Sequence, residues 1–327
     1  MILLKQILVP IDFGEASAVA LDYGCALART VGASLHLLHV MENPFLRPTA
    51  IDPSVLKAAA AQHLGERLQD DDCAALHATA VLQTSDNPAE EILKYAKAHT
   101  IDLIVMGTHG RSAMAQLLVG SVAERVVRTA PCPVLTVRHP QPRIRRAGGR
   151  RYDGESESRR PVMITLKNIL VATDFSKPSD AALTYGRALA RNFMATLHVL
   201  HVADNLSSAV YGAEGYVASM PDLQKEIEDA ARTRLGELLV DNDEPPLPTR
   251  RMVVTSSTPA LAIVEYAGLE HIDLIVTGTH GRGAVAHLLM GSVAERVVRT
   301  APCPVLTVRH PEREFIIPDA LVAVARA

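Results

Sequence analysis

The sequence predicts an α/β protein of two similar domains, each an open five-stranded parallel sheet with helices on both faces. Three observations predict it. The chain repeats itself, apolar β-rich runs alternate with helical segments, and the central runs lack the polar alternation of one-sided strands. The repeat is plainest in His109–Pro140 and His280–Pro311, identical at 28 of 32 positions. The exceptions are Ser112/Gly283, Met114/Val285, Gln116/His287 and Val119/Met290. Lys5–Phe13 corresponds more loosely to Lys167–Phe175, and Leu35–Val40 to Leu197–Val202. The offset is 162 at Asp12/Asp174 and Val40/Val202, but 171 at Pro88/Pro259 and Gly107/Gly278. The second copy therefore carries nine extra residues, expected near the Gly-punctuated loop Tyr211–Tyr216.

The elements of the first copy follow in order. Leu3–Ile11 is apolar and β-rich, a first strand. Ala16–Val31 has helical apolar spacing and stops at Gly32, a C-cap. Ser34–Val40 is the second strand. After the Pro-rich stretch Pro44–Pro53, the segment from Ser54 to Asp70 reads as a helix. Thr79–Gln83 is a short strand, and Pro88–His99 a helix with Asn87 as its cap. Asp102–Met106 reads as a strand buried on both faces, Ser121–Thr129 as a helix and Pro133–Val137 as the last strand. Ligands on such sheets bind beyond the carboxyl ends of the strands, which puts Asp12, Val40 and Gly107 at one mouth.

The domains implied are Met1–Pro140 and Val162–Pro311, joined by Gln141–Pro161 and followed by a tail to Ala327. The joining segment has seven Arg, three acidic residues and no apolar periodicity, so it reads as a solvated linker. A basic docking arm for an anionic partner is the alternative. The tail segment Asp319–Ala327 can form a short helix against a domain or another chain, which leaves a homo-oligomer open.

Composition narrows the function classes. The 327 residues suit two domains, and 48% hydrophobic content with mean hydropathy +0.13 is globular. A net charge of −3 gives no overall field that attracts nucleic acid. Five Phe, seven Tyr and no Trp offer few stacking platforms for bases. No apolar run approaches the roughly 18 residues of a membrane span, and the first residues read as a strand rather than a signal peptide. Four cysteines without a C-x-x-C pair make no disulfide framework, so the expected compartment is the cytoplasm.

The informative motif is Gly107-Thr-His-Gly110, nine residues, then Gly120-Ser121. It opens as a buried strand ends and closes as a helix begins. Glycines let a backbone approach a ligand, consecutive N–H groups cradle anions, and a helix N-terminus attracts phosphate. Ser121 and Glu124 have the spacing of a capping box. Gly278, Gly281, Gly291 and Ser292 repeat the device. Tight strand-to-helix turns alone would also use such glycines. It is not the phosphate loop that ends in Gly-Lys.

Gly107-x2-Gly110-x9-Gly120-Ser121 behind an ILVPIDF strand resembles the ATP-binding signature of the universal stress protein family, and the double occurrence resembles its tandem-domain members. The resemblance covers Met1–Pro140 and about Val162–Pro311. It implies Rossmann-like domains of the adenine nucleotide alpha hydrolase type. It further implies ATP as the ligand, with or without Mg²⁺ held through the phosphates, and no metal ligand from the protein. Asp12 would meet the nucleoside and Val40 the adenine, while Gly107, Gly110, Gly120, Ser121 and Val122 hold ribose and phosphates. The matching set is Asp174, Val202, Gly278, Gly281, Gly291, Ser292 and Val293, hence two sites. Ser176 stands where the first copy has Gly14, a departure that weakens the first helix cap.

Other residues carry two readings. Asp12 and Asp174 can accept from a ligand or cap the next helix. His109, Arg111, His280 and Arg282 can neutralise phosphates or stand solvated in the loop. His36 and His39, like His198 and His201, are three apart on a strand and point to opposite faces, against a shared metal. Cys132 and Cys303 read as buried small hydrophobes. Val134–Val137 and Val305–Val308 read as apolar edge strands that can pair with each other within the chain. The resemblance implies this pairing, since the family dimerises through this strand and the duplication would be a covalent dimer.

The function expected is a nucleotide-binding regulatory or stress-response protein. A slow ATPase is the enzymatic alternative, though the glycine loops hold no Walker lysine or second acid to position metal and water. A binder of another small ligand in the same cleft is the third reading.

Overall fold

Runs of Val, Ile and Leu flanked by Gly, Pro and Asp form the strands, and amphipathic segments form the helices between them. The computed structural model describes residues 4–42, 52–69, 76–108, 120–138, 164–206, 220–239, 246–279 and 290–309. It divides into two compact units at Thr165/Leu166. The expected linker, the Pro44–Ile51 and Tyr211–Tyr216 stretches and the tail lie outside the described residues.

The first unit contains β1 (Gln6–Pro10), α1 (Glu15–Val31), β2 (Ser34–Met41), α2 (Pro53–Gln69) and β3 (Ala78–Thr84). It continues with α3 (Pro88–Ala98), β4 (Leu103–Gly107), α4 (Ser121–Thr129) and β5 (Val134–Val137). Its strands run parallel in the order β3-β2-β1-β4-β5. The chain moves one way along the sheet to β3 and the other way through β4 and β5. Right-handed crossovers then put α1 and α2 on one face and α3 and α4 on the other. Ile7, Leu8, Val9, Ile104 and Val105 are fully buried, so this sheet centre is covered on both sides.

The second unit repeats this with β6 (Asn168–Thr173), α5 (Lys177–Phe193), β7 (Thr196–Ala203), α6 (Met220–Leu238) and β8 (Thr249–Thr255). It ends with α7 (Pro259–Leu269), β9 (Leu274–Gly278), α8 (Ser292–Thr300) and β10 (Val305–Val308). The parallel order is β10-β9-β6-β7-β8, equivalent to that of the first unit.

Helix ends follow local chemistry. Gly32 takes φ 70° and its N–H returns to the Ala28 carbonyl, ending α1 as its left-handed C-cap. Asn87 accepts from the Glu90 N–H at the start of α3. The expected capping box at Ser121 is absent. Gly120 is the N-cap, without a side-chain cap bond, and Ser121 is already helical. Glu124 turns instead to Arg128, 3.4 Å away on the outer face, while Ala123, Val126 and Val127 are buried.

At the amino end of each sheet a buried or half-buried aspartate fastens the first strand. Asp102 Oδ2 accepts from the N–H groups of Lys5 and Gln6, both at 2.9 Å. Asp273 Oδ2 does the same for Lys167 and Asn168, at 2.8 and 3.0 Å. The functional end is the opposite one.

Candidate functional site

At the carboxyl end of the first sheet, β1 and β4 are neighbours and the strand order reverses, the position where doubly wound sheets open a crevice. A cleft of about 950 Å³ lies there. Its walls include Asp12 and Phe13 after β1, His39 and Val40 on β2, and His63 on α2. Gly107 and Thr108 at the end of β4 and Gly120, Ser121 and Val122 at the start of α4 complete it. The sequence-expected residues that are described in this unit thus share one cavity.

The turn after β1 is tightly built. Phe13 has φ 62°, a left-handed conformation uncommon for a bulky residue, and Phe175 repeats it at φ 63°. Asp12 Oδ1 accepts from the Gly14 N–H at 2.9 Å. Ser17 Oγ donates to the Gly14 carbonyl at 2.9 Å and accepts from the Asp12 N–H at 3.4 Å. Asp174 Oδ1 accepts from both the N–H and hydroxyl of Ser176, and Ser179 Oγ accepts from the Ser176 N–H at 3.0 Å. The Gly14/Ser176 departure therefore adds a hydroxyl bond in the second unit. Each aspartate supports its turn, and a carboxylate has about four acceptor positions in all.

The second histidine of each L-H-x-L-H-V run is fixed by the same end of the sheet. His39 Nδ1 donates to the Ile11 carbonyl at 2.7 Å, and His201 Nδ1 to the Thr173 carbonyl at 2.9 Å. Since a carbonyl only accepts, Nδ1 carries the proton, which makes Nε2 the acceptor in the neutral ring. Phe13 packs on His39 with centroids 4.5 Å apart, and Phe175 on His201 likewise. The first histidine works elsewhere. His36 bonds Tyr95 Oη at 2.8 Å and Gln6 Oε1 at 2.7 Å. Burial and the charge of His99 lower its pKa.

Thr108 anchors both ends of the glycine loop. Its N–H donates to the Val137 carbonyl, and its carbonyl accepts from the Gly120 N–H at 2.6 Å. Thr279 does the same with Val308 and Gly291. The first intrahelical bond of α4 runs from Glu124 N–H to Gly120. The N–H groups of Ser121, Val122 and Ala123 thus have no acceptor within the helix. In α8 the bond from Glu295 to Gly291 leaves Ser292, Val293 and Ala294 in the same condition. Such a terminus favours an anion.

Gly107 has a structural reason to lack a side chain. A Cβ there would stand 2.8 Å from the Ala16 carbonyl carbon on α1. At Gly278 it would meet the Pro178 backbone at 2.9 Å. His109, Gly110, Arg111, His280, Gly281 and Arg282 lie outside the described residues. In the second unit Asp174, Val202, Gly278, Gly291, Ser292 and Val293 occupy equivalent element ends. Sequence reasoning missed Phe13, Ser17, His63 and Thr108 as parts of the site. Phe13, Ser17 and Thr108 recur as Phe175, Ser179 and Thr279 in the repeat, which was a usable signal.

Among the described residues no group of three or more His, Cys, Asp or Glu could hold a metal, and no helix is long and apolar enough to cross a membrane. Cys25, Cys132 and Cys303 are buried.

A parallel sheet of order 3-2-1-4-5, with a cleft over its reversal point, defines a doubly wound, Rossmann-like α/β protein. Residues 4–138 and 165–309 each match the model of the universal stress protein family. The chain belongs to that family and carries its domain twice. It is 33% identical over 148 residues to a universal stress protein of Methanocaldococcus jannaschii, covering 45% of this chain and 85% of that one. It is 35% identical over 142 residues to universal stress protein A homolog 1 of Coxiella burnetii, covering 43% and 95%. The crystal structure of a universal stress protein from Archaeoglobus fulgidus matches with TM-score 0.62 and 22% identity, covering 93% of this chain and 98% of that chain. This last likeness supports the fold.

Proposed function

We propose that this protein binds ATP in two tandem sites and acts as a nucleotide-dependent regulatory protein of the stress response. The observation that carries the reading is the gathering of Asp12, Val40, Gly107, Thr108 and the amino end of α4 around one cleft. About 950 Å³ is within the range of small-molecule and cofactor sites. The ligand chemistry fits. Val40 and Met41 offer an apolar wall for a base, Asp12 an acceptor for a hydroxyl or amine, and the N–H groups of α4 a seat for phosphate. His109, Arg111, His280 and Arg282 would add cationic donors from the loops. No lysine of a phosphate-loop motif is required, because backbone amides and a helix terminus hold anions without one.

Native mass spectrometry of the purified chain tests this. ATP should be retained by the wild type and lost by the Gly110→Val, Gly281→Val double variant, whose branched side chains crowd the phosphates. A wild-type chain that neither retains nor takes up adenine nucleotide would overturn the reading.

A further inference from the structure

The helix that borders the cleft changes its chemistry between the two copies. His63-Leu-Gly-Glu66 on α2 corresponds to Arg234-Leu-Gly-Glu237 on α6 at an offset of 171, and Leu64 and Leu235 are each 1% exposed. The cleft-lining His63 therefore has Arg234 as its counterpart.

Helix α6 is tied down at three places on the ligand end of its sheet. Gln224 donates through Nε2 to the Asp204 carbonyl at 3.2 Å and to Thr255 Oγ1 at 3.3 Å, and its Oε1 accepts from the Leu206 N–H at 3.0 Å. Glu228 Oε1 accepts from the Thr255 hydroxyl at 2.7 Å, while Arg232 holds its other oxygen at 2.7 Å. Arg234 reaches the turn after β6. Its guanidinium lies 4.5 Å over the Phe175 ring and donates to the Phe175 carbonyl at 3.4 Å. Asp204 follows β7, Thr255 ends β8 and Phe175 follows β6, so three strand ends are bridged by one helix.

The first copy cannot build this set. Its strand keeps Thr84 at the position equivalent to Thr255, but the positions of Gln224, Glu228 and Arg234 carry Pro53, Lys57 and His63. A lysine cannot accept from a threonine hydroxyl, and proline brings no side-chain amide. His63 meets Phe13 edge-on at 5.6 Å, whereas Arg234 lies over the ring of the equivalent Phe175.

Resting on the nucleotide reading above, we infer that the two clefts differ in retention. Gln224, Glu228 and Arg234 pin α6 to the carboxyl end of the second sheet, so the second unit releases a bound adenine nucleotide slowly while the first exchanges it quickly. One chain then holds a resident nucleotide in one unit and samples the surrounding pool with the other. Each bond that must break before release raises the barrier. Two or three of them together slow release by roughly thirty- to 140-fold.

Release of a fluorescent ATP analogue from the full chain, chased by excess ATP, should show two phases. Glu228→Lys with Arg234→His, which copies the first unit, should speed the slow phase alone. Lys57→Glu with His63→Arg should slow the fast phase alone. Hydrogen exchange without nucleotide gives a second readout: α6 should be better protected than α2 and lose protection in its own variant. Bound analogue leaving in a single phase, or a slow phase untouched by the α6 variant, overturns the inference and leaves the nucleotide reading standing. A chain that binds no analogue overturns both, because retention then has no ligand.

Discussion

The α-carbon of Gly107, at the end of β4, lies so close to Ala16 on α1 that a Cβ would stand 2.8 Å from the Ala16 carbonyl carbon. The first motif glycine is thus fixed by packing as well as by any ligand. Gly107→Ala should destabilise the first unit by about 1–3 kcal/mol, since helix backbone rather than a flexible side chain must move. Urea unfolding measures it. A midpoint equal to wild type would show that α1 yields freely.

A missing methylene separates half-buried His36 from its buried counterpart His198. Gln6 Oε1 accepts from His36 Nε2 at 2.7 Å, whereas the corresponding Asn168 turns its amide to the Glu270 and His271 carbonyls. His198 Nε2 is left buried without a partner among the described residues. Asn168→Gln should stabilise the second unit by about 1 kcal/mol, and Gln6→Asn should destabilise the first by a similar amount. Thermal unfolding of both variants checks the pair, and shifts of the opposite sign would contradict it.

The same histidines make the fold acid-sensitive. Burial, with the charge of His99, lowers the pKa of His36 below 6.5. Burial and then Arg250 lower that of His198, with Glu270 opposing them. The unfolded chain takes up these protons near pH 6.5 and the folded chain only at lower pH. The stabilisation is therefore complete above pH 6.5 and is lost as pH falls towards the folded values. Denaturant midpoints should drop between pH 7 and pH 5. In an NMR titration Arg250→Gln should raise the His198 pKa, and a fall would reverse the assigned electrostatics.

Asp102 holds the N–H groups of Lys5 and Gln6. Asp102→Ala leaves both without that acceptor beside a buried strand and should cost about 2–4 kcal/mol, with Asp102→Asn less damaging. Chemical denaturation of the two variants should rank them in that order.

Much of the fold was legible because its signals are local. The buried runs of β1 and β4, the αL cap at Gly32 and the Asn87 cap all depend on neighbouring residues. What was not legible depends on contacts across the chain. No local pattern reveals that Gly107 abuts Ala16, or that the Gly120 N–H returns to Thr108 and makes Ser121 helical rather than a cap. The positive φ of Phe13 was hidden too, since Phe is a poor marker for that conformation. Arg234 became meaningful only once α6 was seen against Phe175.

The most direct test of the central claim is the ATP stoichiometry of the full chain by equilibrium dialysis, measured for wild type and for Val40→Trp. Val40 lines the first cleft, and an indole there would fill the expected place of the base. The account predicts two ATP per chain falling to one in the variant. No bound ATP in the wild type, or two still bound with Trp at position 40, would contradict it.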